Sequence, residues 1–266
     1  MSLLDFIDIV HFYYSRKPCL DGGSNFVRPE SLRKSIKQAM RTDYIGHDRA
    51  YQRKRNDPDY AGWIKRDELV EDWQLSWQPL IQRKAVPKQG KLLELGCGAG
   101  NLSIYFAQAG YSVTGVDIAP TAIDWAIENA AKANVNVSFI QANVLALAEV
   151  PDESFDIALD GRCLHCIIGN DRAHFLRTAY RILKFNGVLV INTMCNEVPK
   201  TSYWSDHFDP QTRCTIHDGL ATRYIGDSND ILQEIIHTGF RVLDVEVLPP
   251  RNHQDLADLQ VIAEKR

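Results

Sequence analysis

Two carboxylates flanking three glycines are the residues of this chain best suited to chemistry. Glu94 sits in a short apolar run, Lys91-Leu92-Leu93-Glu94-Leu95, which is followed by Gly96, Gly98 and Gly100. Asp117 closes a second apolar run, Val113-Thr114-Gly115-Val116. An open parallel sheet takes its ligands outside the carboxyl ends of its strands, and a glycine turn there lets backbone approach a ligand with no Cβ in the way. A carboxylate at the second strand's end is placed to accept hydrogen bonds from both hydroxyls of a ribose. The chemistry predicted is therefore recognition of a nucleoside. Spacing narrows it further. A dinucleotide fingerprint reads G-x-G-x-x-G and seats a pyrophosphate, which argues against a nicotinamide site. Here the glycines alternate, Gly96-Cys97-Gly98-Ala99-Gly100.

These residues need a sheet to position them, and the sequence from Lys91 onward supplies one. Apolar runs alternate with helical patterns, the signature of a mostly parallel α/β sheet. Strands are expected at 91–95, 113–117, 135–141, 155–160, 187–192, 240–247 and 258–264. Helices are expected at 101–109, 119–133, 171–183 and 230–237, the second with Pro120 in its first turn. Gly187-Val188-Leu189-Val190-Ile191-Asn192 is apolar enough to be a central strand covered on both faces. Asn186, just before it, tolerates a left-handed turn.

Strand, acid, alternating glycines, helix, strand and second acid, taken together, make residues 90–266 resemble the class I S-adenosylmethionine-dependent methyltransferases, whose motif I reads E/D-x-G-x-G-x-G. The resemblance implies a Rossmann-like seven-stranded, mostly parallel sheet with helices on both faces and the last strand antiparallel. It implies S-adenosyl-L-methionine as cofactor and S-adenosyl-L-homocysteine as product. The cofactor would meet Glu94, Gly96, Cys97, Gly98 and Gly100 at motif I, Asp117 at its ribose, and Asp160 and Gly161 at the end of the fourth strand. Adenine would lie between Ile118 and Asn143-Val144, where Asn143 keeps a carbonyl acceptor in place of the family's frequent aspartate. Glu94 would help neutralise the cofactor's ammonium. Arg181-Ile182-Leu183-Lys184-Phe185-Asn186-Gly187 is similar to the family's R-x-L-K-P-G-G turn, with Phe185 and Asn186 as departures. Asp160-Gly161-Arg162-Cys163-Leu164-His165-Cys166 falls at motif IV, where His165 matches the histidine of an L-H-H pattern. His165 is the candidate base, with a purely structural histidine as the alternative. Cys163, His165 and Cys166 lack a fourth ligand at suitable spacing, so no metal is expected.

Two segments fall outside the shared core. Residues 1–88 read as a helical N-terminal extension or cap over the SAM-binding domain at 89–266. Helical patterns occupy 3–10, 29–40 and 66–83, the last with Trp73, Trp77, Leu80 and Ile81 on one face, either covering the site or simply packing on the sheet. The cluster Arg53-Lys54-Arg55 reads as solvated surface, with contact to an anionic substrate or RNA as the alternative. Residues 195–227 exceed a usual connection, and long loops in compact domains are disproportionately functional. Alternation around Asp218-Gly219 predicts a hairpin. Tyr203, Trp204, His207, His217 and Arg223 make this a candidate substrate lid; a passive excursion is the other reading.

Composition sets the class. The chain has 266 residues, 45% hydrophobic and 24% charged, with a formal net charge of −4. That balance argues against general affinity for nucleic acid. No apolar run reaches membrane-spanning length, and the N-terminus lacks a basic n-region, so no membrane association and a cytoplasmic location are expected. The 6 scattered cysteines suit reduced thiols. The expected function is methyl transfer to a small-molecule acceptor. An RNA or protein methyltransferase, and a non-methylating binder of the same cofactor, stay open as alternatives. The absence of a D/N-P-P-Y tetrapeptide weighs against amino-methylation of DNA bases or glutamine.

Overall fold

Alternation of side chains decides what the apolar runs build. In β1 (Lys91–Leu95), Leu93 and Leu95 join one buried cluster while Leu92 joins another on the opposite face. The same holds in β4 (Phe155–Gly161), with Ala158 against Ile157 and Leu159, and in β5 (Leu183–Cys195), with Leu189 and Ile191 against Val188 and Val190. A strand apolar on both faces must be covered on both. The structure, a computed structural model, describes residues 42–266; the helical patterns at 3–10 and 29–40 lie outside the described residues.

With β2 (Ser112–Asp117), β3 (Ser138–Gln141), β9 (Phe240–Leu248) and β10 (Ala257–Lys265), these strands form a seven-stranded sheet in the order β3-β2-β1-β4-β5-β10-β9. Pairing is parallel from β3 through β5, and β10 lies antiparallel to both β5 and β9. The chain reverses its direction of travel across the sheet between β1 and β4, which opens a crevice at their carboxyl ends. One face is covered by α5 (Asp171–Ile182), through Phe175, Leu176 and Ile182, and by α6 (Ser228–His237), through Ile231 and Ile235. The other takes Phe106 of α3 (Asn101–Gln108) with Trp77 and Leu80.

Trp77 and Leu80 belong to α2, which runs as Leu69–Asp72, a π-helical turn Trp73–Trp77, and Gln78–Gln82. It starts later than the 66–83 pattern because Arg66 N–H is drawn into a turn with the Asp59 carbonyl, 2.8 Å away. The wide turn brings residues five apart onto one face, so Trp77 Nε1 donates to Asp72 Oδ2 at 3.1 Å. Ahead of it, α1 (Tyr44–Arg55) packs Tyr51 against Ala122 and Trp125 of α4 (Pro120–Lys132).

Boundaries moved where a cap competed with a strand. β3 begins at Ser138 rather than 135 because Asn134 (φ 53°) closes α4 in the left-handed region and Val135 N–H returns to the Ala130 carbonyl. β5 is longer than 187–192 because Asn186 (φ 61°) absorbs the turn as an irregularity within the strand. The segment at 195–227 folds as a three-stranded antiparallel sheet, β6 (Phe208–Asp209), β7 (Cys214–His217) and β8 (Leu220–Tyr224). Asp218 (φ 49°) and Gly219 (φ 77°) make the expected tight hairpin turn. No helix among the described residues is long and apolar enough to cross a membrane.

Candidate active site

The glycine loop leaves β1 and is tied at once to β2: Gly96 and Cys97 N–H both donate to the Val116 carbonyl at 2.8 Å. Gly98 N–H donates to Asp117 Oδ2, and Ala119 N–H to Oδ1, each at 2.9 Å. Asp117 is thereby locked at the mouth of the crevice, with a second lone pair on each oxygen free for a ligand. Gly98 sits at φ 52°, and a Cβ there would lie 2.2 Å from the Tyr51 hydroxyl oxygen. The loop is thus pressed between β2 below and α1 above.

Glu94 is buried beneath this loop. It accepts from Ser103 Oγ at 2.5 Å and forms no ion pair among the described residues. Burial, only partly offset by Ser103, pushes its carboxyl up to about 8. Asp160 is also buried; Oδ1 accepts from Cys163 and Leu164 N–H at 2.7 and 2.8 Å, and Oδ2 meets no donor. Burial raises it to about 7 despite those two bonds. Its task is to fold the turn after β4.

A cavity of about 830 Å³ opens over these groups. Of the residues the sequence nominated, Glu94, Gly96, Cys97, Gly98, Asp117, Ile118, Asn143, Val144, Gly161 and His165 line it, as do Trp204 and Arg223 from the inserted segment. Gly100 and Asp160 stand behind the wall; a Cβ on Gly100 would meet Phe139 and Ala126 at 2.8 and 3.0 Å, so this glycine serves helix packing. Asn143 Oδ1 already accepts from Leu145 N–H at 2.9 Å. Tyr203, His207 and His217 do not reach the cavity: the two imidazoles lie tilted against each other with centroids 3.9 Å apart, and Tyr203, 69% exposed, lies against His217.

The structure adds residues that spacing did not nominate. His47 of α1 lines the cavity, and its Nδ1 lies 2.6 Å from the Asp43 carbonyl. A carbonyl only accepts, so Nδ1 carries a proton, while Nε2 is buried and meets no hydrogen-bond partner. Burial pushes this imidazole down, but the Cys166 sulfur beside it outweighs that and leaves it raised. Burial likewise pushes the Cys166 thiol up, while Arg223 and the imidazoles of His165 and His47 hold it well below the ordinary thiol range. Trp63 also lines the cavity, carried there by Gly62, where a Cβ would meet Asn101 Nδ2 at 2.8 Å. Arg162, just past β4 at φ 69°, donates to Asp72 Oδ1 at 2.8 Å and to Asp258 Oδ2 at 3.2 Å, while Arg251 reaches Asp72 at 3.1 Å. This network clamps α2 to the turn after β4 and to β10. His47 lies in the charged stretch at 44–59 and Trp63 just beyond it, where no periodic face marks either residue.

Comparison with known proteins agrees with this fold. A family model described as a methyltransferase domain matches residues 87–239, more than half of the chain. The ubiquinone biosynthesis O-methyltransferase of Pseudomonas fluorescens (strain Pf0-1) is 34% identical over 110 residues, covering 41% of this chain and 46% of that protein. The eEF1A lysine and N-terminal methyltransferase homolog of Drosophila melanogaster is 31% identical over 110 residues, covering 40% of this chain and 16% of that one. The match therefore spans less than half the length of either curated relative. Among solved structures, the 1,6-didemethyltoxoflavin-N1-methyltransferase of Burkholderia thailandensis, with 1,6-didemethyltoxoflavin and S-adenosylhomocysteine bound, superposes with a TM-score of 0.57 at 18% identity, covering 92% of this chain and 93% of that one. At that identity the likeness speaks for the fold.

Proposed function

The chain belongs to the class I S-adenosylmethionine-dependent methyltransferases, and from that premise we propose that it methylates a small-molecule acceptor held between the sheet and its cap. One observation carries the proposal: a single cavity joins the Asp117 cradle to the cluster of His47, His165, Cys166 and Arg223. Its volume, about 830 Å³, falls in the range of small-ligand pockets.

The residues present fit the cofactor. Glu94 is a buried acid with a hydroxyl for company and no cation, so a ligand ammonium would supply its missing partner. Asp117 would hold the ribose, Ile118 and Val144 the faces of the adenine, and the glycine turn would leave room for the methionine chain. When bound, S-adenosylmethionine supplies an electrophilic methyl group on a sulfonium. The chain's own work is alignment and proton removal. Tyr51, Trp63 and Trp204 wall the acceptor from water. His47 Nε2, with its tautomer fixed by the Asp43 carbonyl, takes the acceptor's proton. His165 lies buried beside Cys166 in the wall of the same cavity.

Methyl-labelled S-adenosylmethionine incubated with the protein and, separately, with small-molecule, RNA and protein fractions of a cell extract tests this reading. Label is expected in the low-mass fraction. Label confined to RNA or protein would overturn the acceptor class, and no binding of S-adenosylhomocysteine by calorimetry would overturn the reaction.

A further inference from the structure

Among the described residues Arg172 and Arg223 are buried and Arg162 is half-buried, and the three differ in one respect. Arg172 is answered by Glu234, with contacts from 2.6 to 3.1 Å, and Arg162 by Asp72 and Asp258. Arg223, 5% exposed, has no carboxylate in ion-pair distance among the described residues. Its Nη1 donates to the Thr222 carbonyl at 2.6 Å, and its Nε is buried and meets no acceptor. Burying a guanidinium without an anion is costly, and folded proteins keep such a group only where something completes it.

Arg223 stands in the wall of the cavity. Its guanidinium carbon is 5.2 Å from the Trp63 ring centre and 5.8 Å from that of Trp204. Both distances are cation–π contacts, so the two rings flank the guanidinium and offer apolar faces to the aromatic part of a ligand whose anionic end it would pair. The Cys166 thiol feels the charge of Arg223, but no hydrogen bond joins the two, so the guanidinium still lacks a bonded anion. Of the cavity's carboxylates outside any ion pair among the described residues, Glu94 and Asp117 belong to the cofactor's end, and none of the others, Glu68, Glu71 and Asp255, lies within ion-pair distance of Arg223.

Resting on the methyltransferase reading above, we propose that the acceptor is a planar carboxylate, its anion paired with Arg223 and its ring system lying between Trp63 and Trp204. The nucleophilic atom that receives the methyl group then projects away from Arg223, toward His47 and the glycine loop. The lone pair on that atom forms the new bond to carbon, the carbon–sulfur bond breaks with its electrons going to sulfur, and the acceptor's proton passes to His47. A guanidinium at one end and an imidazole at the other fix the molecule lengthwise. That arrangement selects acceptors by the distance between their carboxylate and their reacting atom.

The test is calorimetry on the full chain saturated with S-adenosylhomocysteine, using salicylate, indole-3-carboxylate and quinoline-2-carboxylate as probes and their methyl esters as neutral controls. At least one carboxylate should bind, and its ester about tenfold or more weakly, the scale of a lost charge-assisted hydrogen bond. Arg223→Gln should abolish that discrimination while S-adenosylhomocysteine binds as before. Trp204→Leu should weaken acid and ester alike. Equal binding of acid and ester by the unaltered protein, no binding of any acid, or discrimination surviving in Arg223→Gln would each overturn the proposal. Failure of S-adenosylhomocysteine itself to bind would instead overturn the methyltransferase reading, so the two failures are separable. Because the acid–ester comparison is made on the unaltered protein, it holds even should Arg223→Gln not fold.

Discussion

The two ends of the cavity are built in opposite ways. At the cofactor's end, residues 94–117 supply Glu94, the glycine turn and Asp117 from one strand–helix–strand unit, and the backbone N–H groups of Gly96, Cys97, Gly98 and Ala119 are satisfied before any ligand arrives. At the acceptor's end, His47, Trp63, His165, Trp204 and Arg223 come from five separated stretches, and His47 Nε2, His165 Nδ1 and Arg223 Nε are buried without partners. A loop whose backbone is already satisfied binds its ligand with little rearrangement, leaving Glu94 to be completed by it. An unsatisfied wall is completed by its ligand, and any ligand that fails to do so leaves buried polar groups unpaired. Selectivity follows from that penalty.

The comparison can be broken most forcefully at the seam between the two ends. Gly98→Val puts a branched side chain at φ 52° against the Tyr51 hydroxyl. Left-handed strain and overpacking together cost about 3 kcal/mol, so S-adenosylhomocysteine affinity should fall more than about 100-fold. Tyr51→Ala in the same chain should restore part of it; strict additivity would show that cap and cradle are uncoupled. Next in size, Asp72→Ala strips the partner from Arg162 and Arg251 and should lower thermal stability by about 2–3 kcal/mol. Cofactor affinity should stay within about twofold, since the cradle hangs from the sheet; an equal collapse of both would erase the distinction drawn here. Asp117→Ala should weaken S-adenosylhomocysteine by about tenfold or more in a folded protein, because charge-assisted hydrogen bonds contribute roughly 1.5–3 kcal/mol each.

A pH titration of stability sharpens the same contrast. Glu94 is raised to about 8 in the folded chain. The folded state therefore holds a proton that the unfolded chain releases near the ordinary carboxylate value of about 4.3. Stabilisation from that proton is complete below the unfolded value and is lost as pH rises toward 8, with a slope on the order of 1 kcal/mol per pH unit. Asp160, raised to about 7, acts in the same direction over a lower window. Chemical denaturation of ligand-free protein at pH 5 and pH 8 should show the loss, and Glu94→Gln should shrink it. A Glu94→Gln variant with the unaltered protein's pH dependence would place the titrating group elsewhere. The smallest effects should come from Tyr203→Ala, His207→Ala and His217→Ala, which stand outside the cavity: stability within about 0.5 kcal/mol and turnover little changed. A large loss of turnover in any of these would show that the inserted sheet acts through its outer face.

Much of this molecule follows from its sequence alone. The antiparallel final strand follows only from the family resemblance, whereas the order of strands and helices, the glycine turn, the two carboxylates and the hairpin at Asp218-Gly219 are all written in local pattern. Each depends on neighbours within a few residues: alternation along a strand, a positive φ, an acid at a strand's end. Helix and strand limits shifted where two local devices competed, as at Asn134. What the sequence left open is the acceptor's end. Nothing in Tyr44–Arg55 marks His47 as different from the charged residues around it, and among the five aromatic or basic candidates at 203–223 no spacing separates Trp204 and Arg223 from the other three. Whether a side chain enters a cavity depends on the docking of one element against another. Here that docking rests on contacts such as Asp72 with Arg162, 90 positions apart, and Tyr51 over Gly98. Periodicity determines which face of an element is buried; only tertiary packing determines which buried side chain is left without a partner, and the acceptor's site is made of those.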